Sequence, residues 1–128
     1  MTIGSIVEFL SDQTVNPDID PVKMAKSMPD SSAKKLNSVL KAVAQAPPHK
    51  FRGGGYWEAM HGQMRGIYEV RIQGKDGNLF RFFCVVTKDA SSMEKITVFA
   101  ALKKRKNEKF KDTDYKKVIR AAKLAGLN

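Results

Sequence analysis

An α+β fold, with two helices, then an antiparallel sheet of about four strands, then a C-terminal helix, is predicted by three observations along the 128-residue chain. First, apolar residues recur at i, i+3, i+4 and i+7 in three separate places, which is the stripe of an amphipathic helix. Second, three apolar runs separated by turn signals lie between Gly66 and Lys106, with a short aromatic run before them. Third, the connections between these runs are shorter than the crossover that parallel strands need, so antiparallel pairing is expected. Helices segregated from strands in this order would cover one sheet face and leave the other available.

Taken in order, Ile3, Ile6, Val7 and Leu10 form the first stripe and predict a short helix ending near Ser11 to Gln13. Asn16-Pro17-Asp18 and Asp20-Pro21 break it, because each proline lacks a donor and biases its predecessor away from helical angles. A loop with one helical turn from Pro21 to Ser27 is expected next. Pro29-Asp30-Ser31-Ser32 then offers capping side chains for a helix carrying Leu36, Val39, Leu40 and Val43, which Pro47-Pro48 stops. His49-Lys50-Phe51-Arg52-Gly53-Gly54-Gly55 lacks the spacing of a phosphate loop or dinucleotide fingerprint and reads as a hinge or bulged entry. Tyr56 to Met60 is expected as a strand at one edge of the sheet.

Ile67 to Ile72 alternates cleanly, with Tyr68, Val70 and Ile72 on one face and Glu69 and Arg71 on the other. Gly74-Lys75-Asp76-Gly77-Asn78 has the residues of a hairpin connection. Leu79 to Thr87 is apolar except for Arg81, as suits a central strand covered on both faces. Lys95 to Leu102 is the third run, reached through Asp89-Ala90-Ser91-Ser92 and finishing in Lys103-Lys104-Arg105-Lys106. Asp112-Thr113-Asp114 can cap a final helix whose stripe is Tyr115, Val118, Ile119 and Ala122, with Gly126 as its stop.

The length fits one domain spanning residues 1–128 with a core of its own. A single cysteine, Cys84, allows no internal disulfide and no cysteine cluster for zinc, so neither a metal nor another cofactor is expected. No run reaches the roughly 18 apolar residues of a spanning helix and no signal peptide is evident, so a cytoplasmic protein with no membrane partner is expected. The net charge is +10, and from Lys103 onward ten Lys and Arg stand against only Glu108, Asp112 and Asp114. That asymmetry is a footprint for polyanions, nucleic acid first, with an anionic membrane surface or an acidic protein behind it.

Ile6-Val7-Glu8-Phe9-Leu10, Trp57-Glu58, Gly66-Ile67-Tyr68-Glu69-Val70-Arg71, and Leu102-Lys103-Lys104 before a helix containing Ala121 and Ala122 together resemble, in order and spacing, the RelE superfamily of bacterial toxin ribonucleases. Within it the chain is most similar to the HigB-like, phage-derived branch, over almost its whole length. The resemblance implies a small, twisted antiparallel sheet with helices on one side and a concave basic surface that cuts messenger RNA, commonly on the ribosome. It also implies cleavage without a metal, by attack of the ribose 2′-hydroxyl on the adjacent phosphate. The expected protein partner is a small helix-turn-helix antitoxin that covers the basic surface, as in type II toxin–antitoxin systems.

Carried over by position, Lys103 and Lys104 match the family's paired lysines, and Arg71 lies in the strand that usually presents a functional arginine. These three are the expected catalytic residues, and Arg65, Arg81, Arg105, Lys106 and Lys109 the expected RNA contacts. Two positions depart from the pattern: Met60 stands two places after Trp57-Glu58, where the family has arginine, and Glu69 follows the strand tyrosine, where another is expected. In-line cleavage needs a base, cations for the phosphate and an acid for the leaving 5′-oxygen. Clustered positive charge lowers a lysine's affinity for its proton, which makes Lys103 or Lys104 a candidate base and Arg105 or Arg71 a phosphate clamp. Arg81 has the alternative of pairing with Glu69 across the sheet, and Glu69 of being a general base or only that partner. His61 is a further acid candidate, and Tyr115 and Phe110 are candidates for stacking or acid roles. The competing reading is a module that binds nucleic acid or protein on the same scaffold without cutting, and a third is an adaptor for an acidic protein.

Overall fold

The computed structural model describes residues 6–11, 17–46, 56–88 and 93–126. Its strands are β1 (Ile6–Phe9), β2 (Trp57–Ala59), β3 (Ile67–Gln73), β4 (Asn78–Lys88) and β5 (Glu94–Arg105). Its helices are α1 (Pro21–Ser27), α2 (Asp30–Gln45) and α3 (Asp112–Leu124), with short 3-10 turns at Pro17–Ile19 and Gly62–Met64. The strands form one five-stranded sheet ordered β1-β5-β4-β3-β2. The expected hinge at 49–55 and the loop at 89–92 lie outside the described residues.

The α+β class holds, but the arrangement differs from the expected one in two ways. The first predicted helix is instead strand β1, paired in parallel with β5 from Ile6↔Lys95 to Phe9↔Val98. Its apolar spacing fits a helix, but Ile6 and Val7 are β-branched and the open edge of β5 offers partners for a backbone that a four-residue helix would leave largely unpaired. Val7 and Phe9 pack on one side of the sheet, while Leu10, just past the strand, packs on the other. The sheet is therefore mixed, with five strands rather than about four. The chain between the parallel strands β1 and β5 runs through α1 and α2 to β2 at the far edge and back across the sheet by β3 and β4, which is ample length for a parallel pairing.

The helices also cover both faces rather than one. On the first face, Leu36, Leu40 and Val43 of α2 pack with Trp57, Val70, Ile72, Phe80, Phe82, Cys84, Ile96 and Val98. On the second, Val118, Ala121 and Ala122 of α3 pack with Ile67, Phe83, Val85, Phe99, Ala100 and Leu102. A bulge between Phe83 and Cys84 lets β5 contribute the extra residue Phe99 and re-aims the strand toward its basic end. Among the described residues α3 packs on only part of its face, and the rest of that face carries the charged side chains Glu58, Glu69, Arg71 and Arg81.

Local chemistry explains the joints. Asp20, itself buried, accepts hydrogen bonds from the backbone N–H of Val22 at 2.9 Å and Lys23 at 3.2 Å, and Pro21 opens α1 where no donor is required. The Ser11 hydroxyl donates to the other Asp20 oxygen at 2.8 Å, which ties the end of β1 to the start of α1. Between β3 and β4, Gly77 takes φ 83° and the Asp76 carboxylate accepts from the Asn78 backbone at 3.1 Å and side chain at 2.9 Å. At α3, Asp114 accepts from the Lys111 backbone N–H at 2.8 Å, and Gly126 ends the helix with φ 71°.

Candidate nucleic-acid interface

Strand alternation puts every second residue of β2, β3, β4 and β5 on the α3 face, and register fixes which of them are neighbours. Glu58 lies opposite Glu69, Arg71 opposite Arg81, Arg81 opposite Leu102, and Leu79 opposite Lys104. One residue before β2, the Tyr56 carbonyl accepts from the Arg71 N–H at 2.9 Å, so Tyr56 begins the row that continues through Arg71 and Arg81. Phe110 and Tyr115 reach this row from the start of α3.

Glu69 is the centre of the cluster, with its side chain 2% exposed. Arg71 Nε donates to Glu69 Oε1 at 2.6 Å, and Arg81 Nε stands 3.9 Å from Glu69 Oε2. Arg71 also meets Glu58 with Nη2 to Oε2 at 3.2 Å. Two like charges directly opposite on neighbouring strands destabilise a sheet, and here one guanidinium spans both. The hydrogen bond from Arg71 to Glu69 raises the arginine's affinity for its proton, whereas burial lowers that of Arg81.

Aromatic side chains wall the cluster. The Phe110 ring lies beneath two cations, with Lys104 Nζ 4.9 Å and Arg81 Cζ 5.8 Å from its centroid. Tyr115 meets Phe83 and Phe110 edge to face at 6.4 and 6.0 Å. Its phenol is pushed up from the usual tyrosine range, chiefly by burial and then by the charge of Glu69, with Arg81 and Arg71 acting in the opposite direction. It is therefore protonated throughout the neutral range.

The expected site residues divide. Arg71, Arg81 and Lys104 come together on the α3 face. Lys103 is on the opposite face, paired with Phe80, since adjacent residues of one strand point apart. The expected pairing of Lys103 with Lys104 in one site is thus split by the sheet. Arg105 Nη1 donates to the Asp76 carbonyl at 3.3 Å, and Lys106 N–H bonds to the Gly77 carbonyl at 2.9 Å, so both brace the β3–β4 turn. Lys104 Nζ donates to the Glu108 carbonyl at 2.8 Å, and Lys109 is exposed beside Phe110. Arg65 follows the 3-10 turn ahead of β3, six residues before Arg71 and at the other end of that strand. His61, exposed, precedes that same turn.

Glu58 and Tyr56 were not among the expected site residues. Their alternation around buried Trp57 was the available signal, but the register that sets them beside Glu69 and Arg71 is a tertiary fact. Among the described residues, no three His, Cys, Asp or Glu side chains are grouped as a metal site, and no helix is long and apolar enough to cross a membrane. No protein-family model, curated protein or solved structure matches the chain.

Proposed function

We propose that the α3 face binds messenger RNA and cleaves it, as the toxin of a type II toxin–antitoxin pair acting on the ribosome and neutralised by a small helix-turn-helix protein. The observation that carries this reading is the co-location of two guanidinium groups, two carboxylates and a protonated phenol on one partly open sheet face. These are the parts that in-line phosphodiester cleavage requires.

In the proposed reaction Arg71 and Arg81 hold the scissile phosphate and stabilise the charge that develops on its oxygens. Glu58, the more exposed carboxylate, takes the proton of the 2′-hydroxyl as that oxygen attacks phosphorus. Tyr115 gives its proton to the departing 5′-oxygen, and the products are a 2′,3′-cyclic phosphate and a 5′-hydroxyl end. Glu69, enclosed by both guanidinium groups, is a positioning residue that sets their geometry. Lys104 adds a further phosphate contact beside Phe110.

A second reading is favoured by the engagement of Arg71 with both Glu69 and Glu58, and by Met60 where the resembled family has arginine. On that reading the face binds RNA or a protein without cutting. Incubation of the purified protein with end-labelled messenger RNA and ribosomes separates the two. Cleavage should produce cyclic-phosphate ends and be lost in Tyr115→Phe and Arg71→Ala. Retarded but intact RNA, with steep salt dependence, would establish the binder instead.

A further inference from the structure

Beside the cluster, at the turn end of β3, lies an open recess of about 470 Å³ lined by Lys35, Tyr56, Arg71, Lys75, Leu79 and Arg81, together with Gln73 and Gly74. Its chemistry differs from that of an ordinary basic surface. Among the described residues that line it, four are cations, from α2, β3, the turn and β4, and none is a carboxylate. Tyr56 is 50% exposed, one of two large hydrophobic residues so exposed among the described residues, and its backbone is pinned by the hydrogen bond from Arg71. Lys35 is drawn across from the other layer, with Nζ 3.4 Å from the Gln73 carbonyl oxygen. A Cβ at Gly74 would fall 2.5 Å from Asp76 Oδ1 and 3.1 Å from Ser32 Oγ, so a larger residue there would displace the Asp76 side chain.

A half-exposed ring among converging cations suits a group that is flat and apolar on its faces and anionic at its end. We propose that this recess is a nucleotide subsite, seating one unpaired base on Tyr56 and the phosphates that flank it on the Arg71–Arg81 row and on Lys35 and Lys75. The inference rests on the RNA reading above and adds a substrate class to it. A base that stacks on a side chain must leave its own duplex, so the ligand is single-stranded RNA, and double-stranded RNA is excluded from the recess. The same recess gives the strand a direction of approach, over the β3–β4 turn and onto the α3 face.

The test is fluorescence anisotropy with a labelled single-stranded RNA decamer, the same sequence as a duplex, and decamers bearing single abasic positions. Tyr56→Leu should weaken the intact decamer by about 5- to 160-fold, the range for one base–aromatic stack, while Tyr56→Phe should stay within about twofold. One abasic position should make Tyr56→Leu and wild type indistinguishable. Lys35→Ala with Lys75→Ala should lower the slope of log affinity against log salt by roughly 1.4, two phosphates' worth on a single strand. Wild-type binding that Tyr56→Leu leaves unchanged, or equal affinity for duplex, overturns the subsite and leaves the RNA reading standing. Failure of wild type to bind any RNA overturns both. Adenosine monophosphate that binds as tightly as the decamer assigns the recess to free nucleotides and overturns the proposal.

Discussion

Replacing Glu69 with glutamine removes the charge on which the candidate interface is built while keeping the side chain's size and one acceptor oxygen. Taking one partner from a buried ion pair costs about 3–5 kcal/mol, because the remaining charge is left uncompensated. The full figure does not apply at Glu69, since Arg71 is 43% exposed and retains Glu58 at 3.2 Å, and Arg81 is 16% exposed. Discounting for that solvent access leaves about 2 kcal/mol. With a urea dependence of about 2 kcal/mol per molar, the unfolding midpoint should fall by about 1 M at unchanged slope. Glu58→Gln is the internal control, because its pair with Arg71 is close to half exposed on both sides and should contribute only about 0–1 kcal/mol. A midpoint for Glu69→Gln no lower than that for Glu58→Gln would refute the network centred on buried Glu69. The same variant separates binding from cutting. Loss of a carboxylate makes the face more positive, so RNA retardation should hold or strengthen, while cleavage falls because the guanidinium groups are no longer held in place.

Other expectations test the fold around the site. Phe82 is fully buried and meets Phe9 edge to face at 6.4 Å, so Phe82→Ala should cost about 3–5 kcal/mol in urea unfolding. Burial pushes the Cys84 thiol well up from its ordinary value, so iodoacetamide at pH 8 should leave the native protein unlabelled and modify it in urea; rapid native labelling would contradict its place in the sheet. Hydrogen bonds from the Asn78 side chain and backbone hold the Asp76 carboxyl below its ordinary 3.8. Because the folded value is depressed, the stability that Asp76 contributes is complete above pH 3.8 and lost as pH falls through the folded value. The stability gap between wild type and Asp76→Ala should accordingly be flat above that pH and narrow below it.

The elements that local pattern specifies were legible in the chain. The clean alternation at Ile67 to Ile72, the glycine-rich turn after it and the stripe of α2 all correspond to observed elements, because each is decided by neighbours within a few residues. Strand β1 was not legible as a strand. Ile6, Val7 and Leu10 satisfy a helical stripe, and what decides between helix and strand is an edge of β5 some 90 residues away. The placement of α3 opposite α1 and α2 was likewise hidden, since an amphipathic stripe says that a face is buried without saying which sheet face buries it. For the site, composition exposed Arg71, Arg81 and the tetrad as cations. Alternation along β5 already implied that Lys103 and Lys104 diverge, yet their adjacency in sequence and the family resemblance joined them. The opposition of Glu58 to Glu69, and the row from Tyr56 through Arg71 to Arg81, depend on cross-strand register and so needed the structure.

The central claim is that the α3 face, and not the basic surplus in general, cuts messenger RNA. It is tested most directly by induced expression in bacteria, following growth and mapping messenger RNA 5′ ends for wild type, Tyr115→Phe and Lys103→Ala. The account predicts growth arrest and new 5′ ends for wild type and for Lys103→Ala, whose side chain is across the sheet, and neither for Tyr115→Phe. Intact messages and normal growth from folded, abundant wild-type protein would contradict it, as would cleavage that depends on Lys103 and is indifferent to Tyr115.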